Sequence, residues 1–253
     1  MQPSNPDQPP RPVIAFFDVD NTLMRGASLY HVGVGARRRG YLKLRDVLRF
    51  AWQQARFVAV GENRKHLESI REQALGLARG HSVTELRELA EQIFDRDIKR
   101  RLWPETVGLT QEHLANGHQV WLITATPIDI ASVIAERLGL TGALGTVLET
   151  VDGCYTGSLI GHVLHGPRKA VAAEELTTRL GANLADCWAY SDSKNDIPML
   201  ELTGNRVVVN PDASLLNHAT AKGWSILRLN KSSIRAARRR VVRDGKTGRR
   251  LDG

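Results

Sequence analysis

Short apolar runs recur along the chain, and most of them stop at Asp, Asn, Ser or Thr. Val13 to Phe17 leads into Asp18-Val19-Asp20-Asn21-Thr22. His118 to Thr124 holds Val120-Trp121-Leu122-Ile123 and continues into Ala125-Thr126-Pro127. Ala185 to Tyr190 leads into Ser191-Asp192, Arg206 to Val209 is stopped by Asn210-Pro211, and Trp224 to Leu229 closes the series. Such runs predict buried strands. Helical segments lie between them: Pro104 to about Asn116-Gly117, then Pro127 to about Leu138, Pro167 to Leu180, Asn195 to Leu202 and Asp212 to Ala221. Pro near a helix start and Gly past its end fit capping preferences. Thr146 to Val151 and Cys154 to Leu159 read as a hairpin turning at Asp152-Gly153. Strands alternating with helices predict an α/β fold with a Rossmann-like, doubly wound parallel sheet.

Residues 26–102 break this rhythm, because no strand pattern appears in them. Tyr41 to Val60 carries Leu44, Val47, Leu48, Ala51 and Trp52 at helical spacing, with Lys43, Arg45, Arg49 and Arg56 between them. Ser82-Val83-Thr84-Glu85 is a capping box, followed by the stripe Leu86, Leu89, Ala90, Ile93 and Phe94. The expected organisation is a leader at 1–12, an α/β core at 13–25 and 103–229, an inserted helical domain at 26–102 and a basic tail at 230–253.

The length, 253 residues, suits one large domain carrying an insertion. Cys154 and Cys187 form no metal spacing and no disulfide framework, which favours a reducing, cytoplasmic setting. No apolar run approaches a membrane span, and Met1 to Pro12 lacks the apolar region of a secretory signal. That leader holds five of the ten prolines and reads as disordered. The net charge of +8 is confined to the last segment: residues 228–253 hold ten Lys or Arg against two Asp, and the rest is balanced. The high pI therefore describes the tail, and no specific nucleic-acid binding is expected of the globular part.

Asp18 and Asp20 stand two apart at a strand end, so their carboxylates share a face. Like charges at that spacing repel unless a cation or a proton intervenes. An oxygen-rich site at the end of a buried strand suits Mg²⁺. In doubly wound sheets ligands bind beyond the carboxyl ends of the strands. Asp18 with Asp20, Thr124, Lys169, and Asp192 with Asp196 all fall at such ends or at helix starts, an acid pair, a hydroxyl, a cation and a second acid pair.

This ordered set resembles the haloacid dehalogenase-like superfamily, in particular its phosphoserine-phosphatase-like branch with a helical cap. The motifs are DVDNT at Asp18 to Thr22, Thr124 in LITATP, Lys169, and Ser191-Asp192-Ser193-Lys194-Asn195-Asp196. The resemblance implies a phosphomonoester hydrolase. Asp18 would be the nucleophile and Asp20 the general acid and base. Thr124, Ala125, Lys169 and Asn195 would fall at phosphate-binding positions. Mg²⁺ would be held by Asp18, the backbone carbonyl of Asp20, and Asp192, with Asp196 at a metal-supporting position beside Asn195. The substrate would be a small phosphorylated metabolite.

One position departs from the branch. Phosphoserine phosphatases carry a Glu nine residues past the nucleophile, and Ala27 stands there. Phosphoserine is therefore an unexpected substrate. Arg37-Arg38-Arg39 in the insertion is either a solvated charge run or a contact for an acidic substrate. The basic tail and the basic helix at Tyr41 to Val60 leave a second reading open, a phosphatase of lipid phosphate monoesters peripheral to an anionic membrane. A third is a non-catalytic protein that binds a polyanion through its tail.

Overall fold

The first strand, β1 (Ile14–Phe17), has no exposed side chain. Its period-two alternation sends Ala15 and Phe17 into one apolar cluster and Ile14 and Phe16 into another, so both faces of the sheet are covered. The computed structural model describes residues 11–41, 75–76 and 78–236. Five strands join β1 in one parallel sheet: β2 (Gln119–Pro127), β3 (Gly142–Thr146), β6 (Trp188–Ser191), β7 (Asn205–Val209) and β8 (Ser225–Leu227). Their order is β3-β2-β1-β6-β7-β8. The chain moves outward from β1 through β2 to β3, then returns to the other side of β1 with β6. This reversal puts the crevice of a doubly wound sheet beside the end of β1.

The described helices divide between the two faces. Helices α2 (Val83–Ile93), α3 (Pro104–Ala115) and α4 (Ile128–Arg137) pack on the Phe17 side. Helices α5 (Pro167–Leu180), α6 (Ile197–Leu202) and α7 (Ala213–Lys222) pack on the Phe16 side. Their ends follow sequence chemistry. Pro104 and Pro167 open α3 and α5, Gly181 and Gly223 close α5 and α7 in the left-handed conformation, and Asp212 caps α7 by accepting the Leu215 N–H at 2.8 Å. The capping box forms as expected, with Ser82 and Glu85 each bonded to the other's backbone N–H.

Between β1 and α3 the described residues hold α1 (Ser28–Arg38), α2, a π-helical turn at Phe94–Ile98 and a 3₁₀ turn at Lys99–Arg101. The segments entering and leaving this region lie side by side. Met24 bridges Leu102, and the Arg25 N–H donates to the Arg101 carbonyl at 2.9 Å. Two residues of the arginine run are tied down within this region. Arg38 pairs with Asp97 at 2.8 Å, and Arg39 bonds Gln92 at 2.9 Å. The helix expected over Tyr41 to Val60, the leader up to residue 10 and the tail beyond residue 236 lie outside the described residues. No helix among the described residues is long and apolar enough to cross a membrane.

Two strand expectations need correction. The hairpin forms from β4 (Leu148–Val151) and β5 (Cys154–Leu159), and Asp152 (φ 51) and Gly153 (φ 77) give the expected tight turn. Thr146, however, belongs to β3, an edge strand of the main sheet that the apolar pattern does not reveal. Close approach explains its two glycines. A Cβ on Gly142 would lie 2.6 Å from the Trp121 ring, and one on Gly145 would lie 2.7 Å from the Thr126 carbonyl. The second strand also runs on to Pro127, through a register shift against β3 between Ile123 and Pro127. Such irregularities re-aim side chains near active sites. Here Thr124 and Thr126 are both buried and Ala125 between them is exposed.

Gly145→Ala is therefore expected to cost about 1–3 kcal/mol, because the groups it meets are backbone. Gly108→Ala, in the interior of α3 with nothing within 4 Å, should stabilise by about 0.5–1 kcal/mol. Urea unfolding of both variants checks the pair.

Candidate active site

Asp18 follows β1 directly, and its N–H continues the parallel pairing by donating to the Tyr190 carbonyl at 3.0 Å. The side chain is therefore fixed at the reversal point of the sheet, 6% exposed. Its Oδ1 accepts from Lys169 Nζ at 2.6 Å, and its Oδ2 accepts from the Thr22 hydroxyl at 3.3 Å. The same ammonium donates to Asp196 Oδ2 at 2.7 Å, which also accepts from the Ser191 hydroxyl at 2.7 Å. Lys169, 3% exposed in the first turn of α5, thus lies between two buried carboxylates. Burial opposes its charge, but Asp18 and Asp196 outweigh that and hold its pKa above the ordinary lysine value. Asp196 Oδ1 is buried and has no hydrogen-bond partner among the described residues.

The loop after Asp18 turns tightly. Asn21 takes a left-handed conformation (φ 57), and its side chain accepts the Gly26 N–H at 3.0 Å. Trp103 donates its indole N–H to the Asn21 carbonyl at 3.2 Å. The turn brings the start of α1 back to Asp20, whose Oδ1 accepts the Ser28 N–H at 2.8 Å. Ser28 Oγ lies 2.6 Å from Thr126 Oγ1, which accepts from the Thr124 hydroxyl at 3.2 Å.

The carboxylates are crowded. Burial pushes the Asp18 carboxyl up to about 7, against the pull of Lys169 and with help from the Asp196 and Asp20 charges. Burial and the Asp18 charge push Asp192 up to about 8, while an Asn21 side-chain hydrogen bond holds it down. Burial also raises Asp20, and the Ser28 hydroxyl and amide oppose that rise. Four aspartates face one lysine, so a phosphate dianion would meet excess negative charge unless a cation or protons were present.

Among the described residues, no three His, Cys, Asp or Glu side chains group as metal ligands. Asp196 Oδ2 is engaged by Lys169 and Ser191. The remaining donors still suit Mg²⁺, which is commonly held by one or two carboxylates and keeps several waters. Asp18 and Asp192 have carboxylates that ionise with difficulty in this setting, and a divalent cation would relieve the same crowding that protons relieve.

The structure brings together Asp18, Lys169 and Asp196 by direct contact, and joins Asp20 to Thr124 through Ser28 and Thr126. It does not bring the Asn195 side chain to this cluster. That amide turns back on Ser193 Oγ at 3.3 Å, and Ser193 caps the 3₁₀ turn Lys194–Asp196. Ala125 offers only backbone, and its carbonyl already accepts from the Thr146 hydroxyl at 2.7 Å. Ser28, Thr126 and Ser191 are members that motif reading missed. Thr126 stands two after Thr124, so strand alternation could have marked it, whereas Ser191 adjoins Asp192 and alternation does not pair the two. Ser28 arrives only through the fold-back of α1.

A haloacid dehalogenase-like hydrolase family model matches residues 15–201. The chain belongs to this family. A Mycobacterium tuberculosis protein named phosphoserine phosphatase is 53% identical over 213 residues, 84% of this chain and 69% of its own. A Neisseria meningitidis protein named histidinol-phosphatase is 31% identical, over 85% of this chain and 97% of its own. A crystal structure of a Bordetella pertussis protein of unknown function superposes with a TM-score of 0.77 at 29% identity, covering 86% of this chain and 99% of the other. The haloacid dehalogenase-like fold and the order of acid, hydroxyl, lysine and acid positions therefore coincide in this chain.

Proposed function

We propose that the chain is a Mg²⁺-dependent phosphomonoesterase that works through an aspartyl-phosphate on Asp18. The observation that carries this reading is the Lys169 ammonium held between Asp18 and Asp196 at the reversal point of the sheet. Asp18 would attack phosphorus, while Asp20 protonates the departing oxygen. Asp20 would then take a proton from the water that releases phosphate from Asp18. Lys169 and the Thr124 hydroxyl would bind the phosphoryl oxygens, Lys169 turning toward them from Asp18 and the Thr124 proton from Thr126. Asp18, Asp192 and the Asp20 carbonyl would hold Mg²⁺, and Asp196 would fix Lys169 from behind. When bound, the metal would shield the carboxylates from the substrate's charge and stabilise the transferring group.

The substrate in this reading is a small phosphorylated metabolite. Ala27 is exposed just before α1 and offers no carboxylate to an ammonium group. Phosphoserine should therefore be turned over poorly, although one relative is named for it. The two relatives' names differ in substrate, so family membership leaves specificity to the residues over the site. A screen of amino-acid, sugar, nucleotide and lysolipid phosphates with Mg²⁺ or EDTA tests the reading. Release of phosphate that EDTA abolishes is expected, and no release from any phosphomonoester would overturn it.

Metal removal should also leave a signature in stability. Carboxyls held near 7 and 8 keep protons in the folded chain that ordinary unfolded carboxylates have already lost. The metal-free chain should lose stability as pH rises, up to about 8. Below 6.5 two histidines act in the opposite sense, His113 and His31, the latter pushed down mainly by burial. His113, between His118 and the Tyr190 hydroxyl, is pushed down to about 4 by burial and by His118. Its contribution is present above 6.5 and is lost as pH falls toward 4. The interval from 6.5 to 8 isolates the carboxylates. Melting in EDTA should show Tm falling across it, and Mg²⁺ should remove most of the slope. A flat profile in EDTA would contradict the crowding.

A further inference from the structure

We propose that Ser28 is a positioning residue for Asp20, pinning the general acid–base group to the start of α1 and, through Thr126, to the strand end that carries Thr124. The inference rests on the phosphomonoesterase reading and assigns work to residues that its motifs give no role.

Helix α1 has eleven residues, no side-chain cap and no acid in its first turn. Its N-cap is Ala27, which has no acceptor to offer. The missing acceptor comes from eight residues upstream, where Asp20 Oδ1 takes the N–H of Ser28 at 2.8 Å. Asp20 thus does the work of a capping side chain, and the positive end of the helix favours its charge. This contact also differentiates its two oxygens. A carbonyl-type oxygen is the better acceptor, so the N–H donor at Oδ1 favours a proton on Oδ2. The transferable proton then has one preferred position.

The Ser28 hydroxyl supplies the second tie. Ser28 has no exposed surface, Thr126 is 3% exposed and Thr124 is 2% exposed. Thr124 donates to Thr126, so the Thr126 proton is free for Ser28, and the Ser28 proton for Asp20. The ladder crosses from α1 to β2 and links the proton-transfer group to the phosphoryl-binding hydroxyl within one buried run.

In the first half-reaction an Asp18 oxygen forms a bond to phosphorus as the bond from phosphorus to the leaving oxygen breaks. The Asp20 proton passes to that oxygen. In the second, water attacks phosphorus, its proton returns to Asp20, and the bond from phosphorus to Asp18 breaks. The first transfer matters most when the leaving alcohol is a poor leaving group. A misplaced Asp20 should therefore harm alkyl phosphates more than aryl phosphates.

Ser28→Ala removes the hydroxyl. Ser28→Pro removes the N–H as well, at the helix position where proline is best tolerated, after an Ala27 already extended (φ −91, ψ 125). Thr126→Val cuts the ladder and Thr126→Ser keeps it. Each variant is assayed on β-glycerol phosphate and on p-nitrophenyl phosphate in Mg²⁺. The ratio of kcat for the alkyl to the aryl ester should fall at least about tenfold in Ser28→Pro, within the range that general-acid catalysis supplies. It should fall less in Ser28→Ala and Thr126→Val, and return in Thr126→Ser, with the aryl KM little changed. Equal losses on both esters, or a change in KM alone, would overturn the positioning role. If Ser28→Pro does not fold, the ratio in Ser28→Ala and Thr126→Val decides. Full activity of Asp18→Asn on both esters is a separate outcome and would overturn the phosphatase reading itself.

Discussion

Asp18→Asn is expected to lower turnover of an aryl phosphate in Mg²⁺ by at least about 10⁴-fold, the scale seen when a nucleophile is removed. An amide cannot form the acyl phosphate, and nothing else in the cluster can replace it. Asp20 is held by Ser28, and Asp196 Oδ2 is engaged by Lys169 and Ser191. The fold should not suffer. The amide keeps an oxygen for Thr22 or Lys169, and Lys169 retains its 2.7 Å contact with Asp196. Burial and the neighbouring Asp196 and Asp20 charges already oppose ionisation of Asp18, so losing that charge relieves repulsion. Tm at pH 7.5 is therefore expected to stay level or rise slightly. Lost activity accompanied by a large fall in Tm would mean that Asp18 is a structural residue.

Lys169→Met should produce the largest loss of stability among single changes in the site. It leaves Asp18 and Asp196, 6% and 1% exposed, without the cation between them. Removing one member of a buried ion pair costs about 3–5 kcal/mol, mostly because the surviving charge is uncompensated. The loss should shrink at lower pH, where the stranded carboxylates take up protons. Turnover should fall by about 10²–10³, as when one donor to a developing charge is removed. The double variant Lys169→Met/Asp196→Asn should recover much of the stability and none of the activity, a coupling of the kind seen between contacting residues. Urea unfolding at two pH values and kcat measurements separate these effects. A single-variant loss under about 1 kcal/mol would show that the ion pair is not the buried anchor its geometry implies.

The central strand was legible because burial on both faces leaves no polar position, which is why Val13 to Phe17 reads as one apolar run. The acids were legible because they follow such strands directly, where ligands of doubly wound sheets bind. Asp18 and Asp192 each stand one residue past a strand, β1 and β6 respectively. The third strand was hidden by the glycines that make it possible, since Gly142 must lie under Trp121 and Gly145 against the backbone near Thr126. Ser28 was hidden for another reason. Its role depends on a left-handed turn at Asn21 and on α1 folding back to Asp20, neither of which has a periodic signal. Asn195 shows the converse limit. It stands next to Asp196 in the motif, yet its amide turns to Ser193 while Asp196 turns inward to Lys169.

The most direct measurement asks whether phosphate passes through Asp18. The chain, turning over p-nitrophenyl phosphate in Mg²⁺, is quenched with borohydride, which reduces an acyl phosphate to an alcohol. Peptide mapping by mass spectrometry then reads the side chain at position 18. Reduction at Asp18, and at no other aspartate, is the expected result, and it should vanish when substrate or Mg²⁺ is omitted. An unmodified Asp18 during sustained turnover, or reduction at Asp20 or Asp192 instead, would contradict the account.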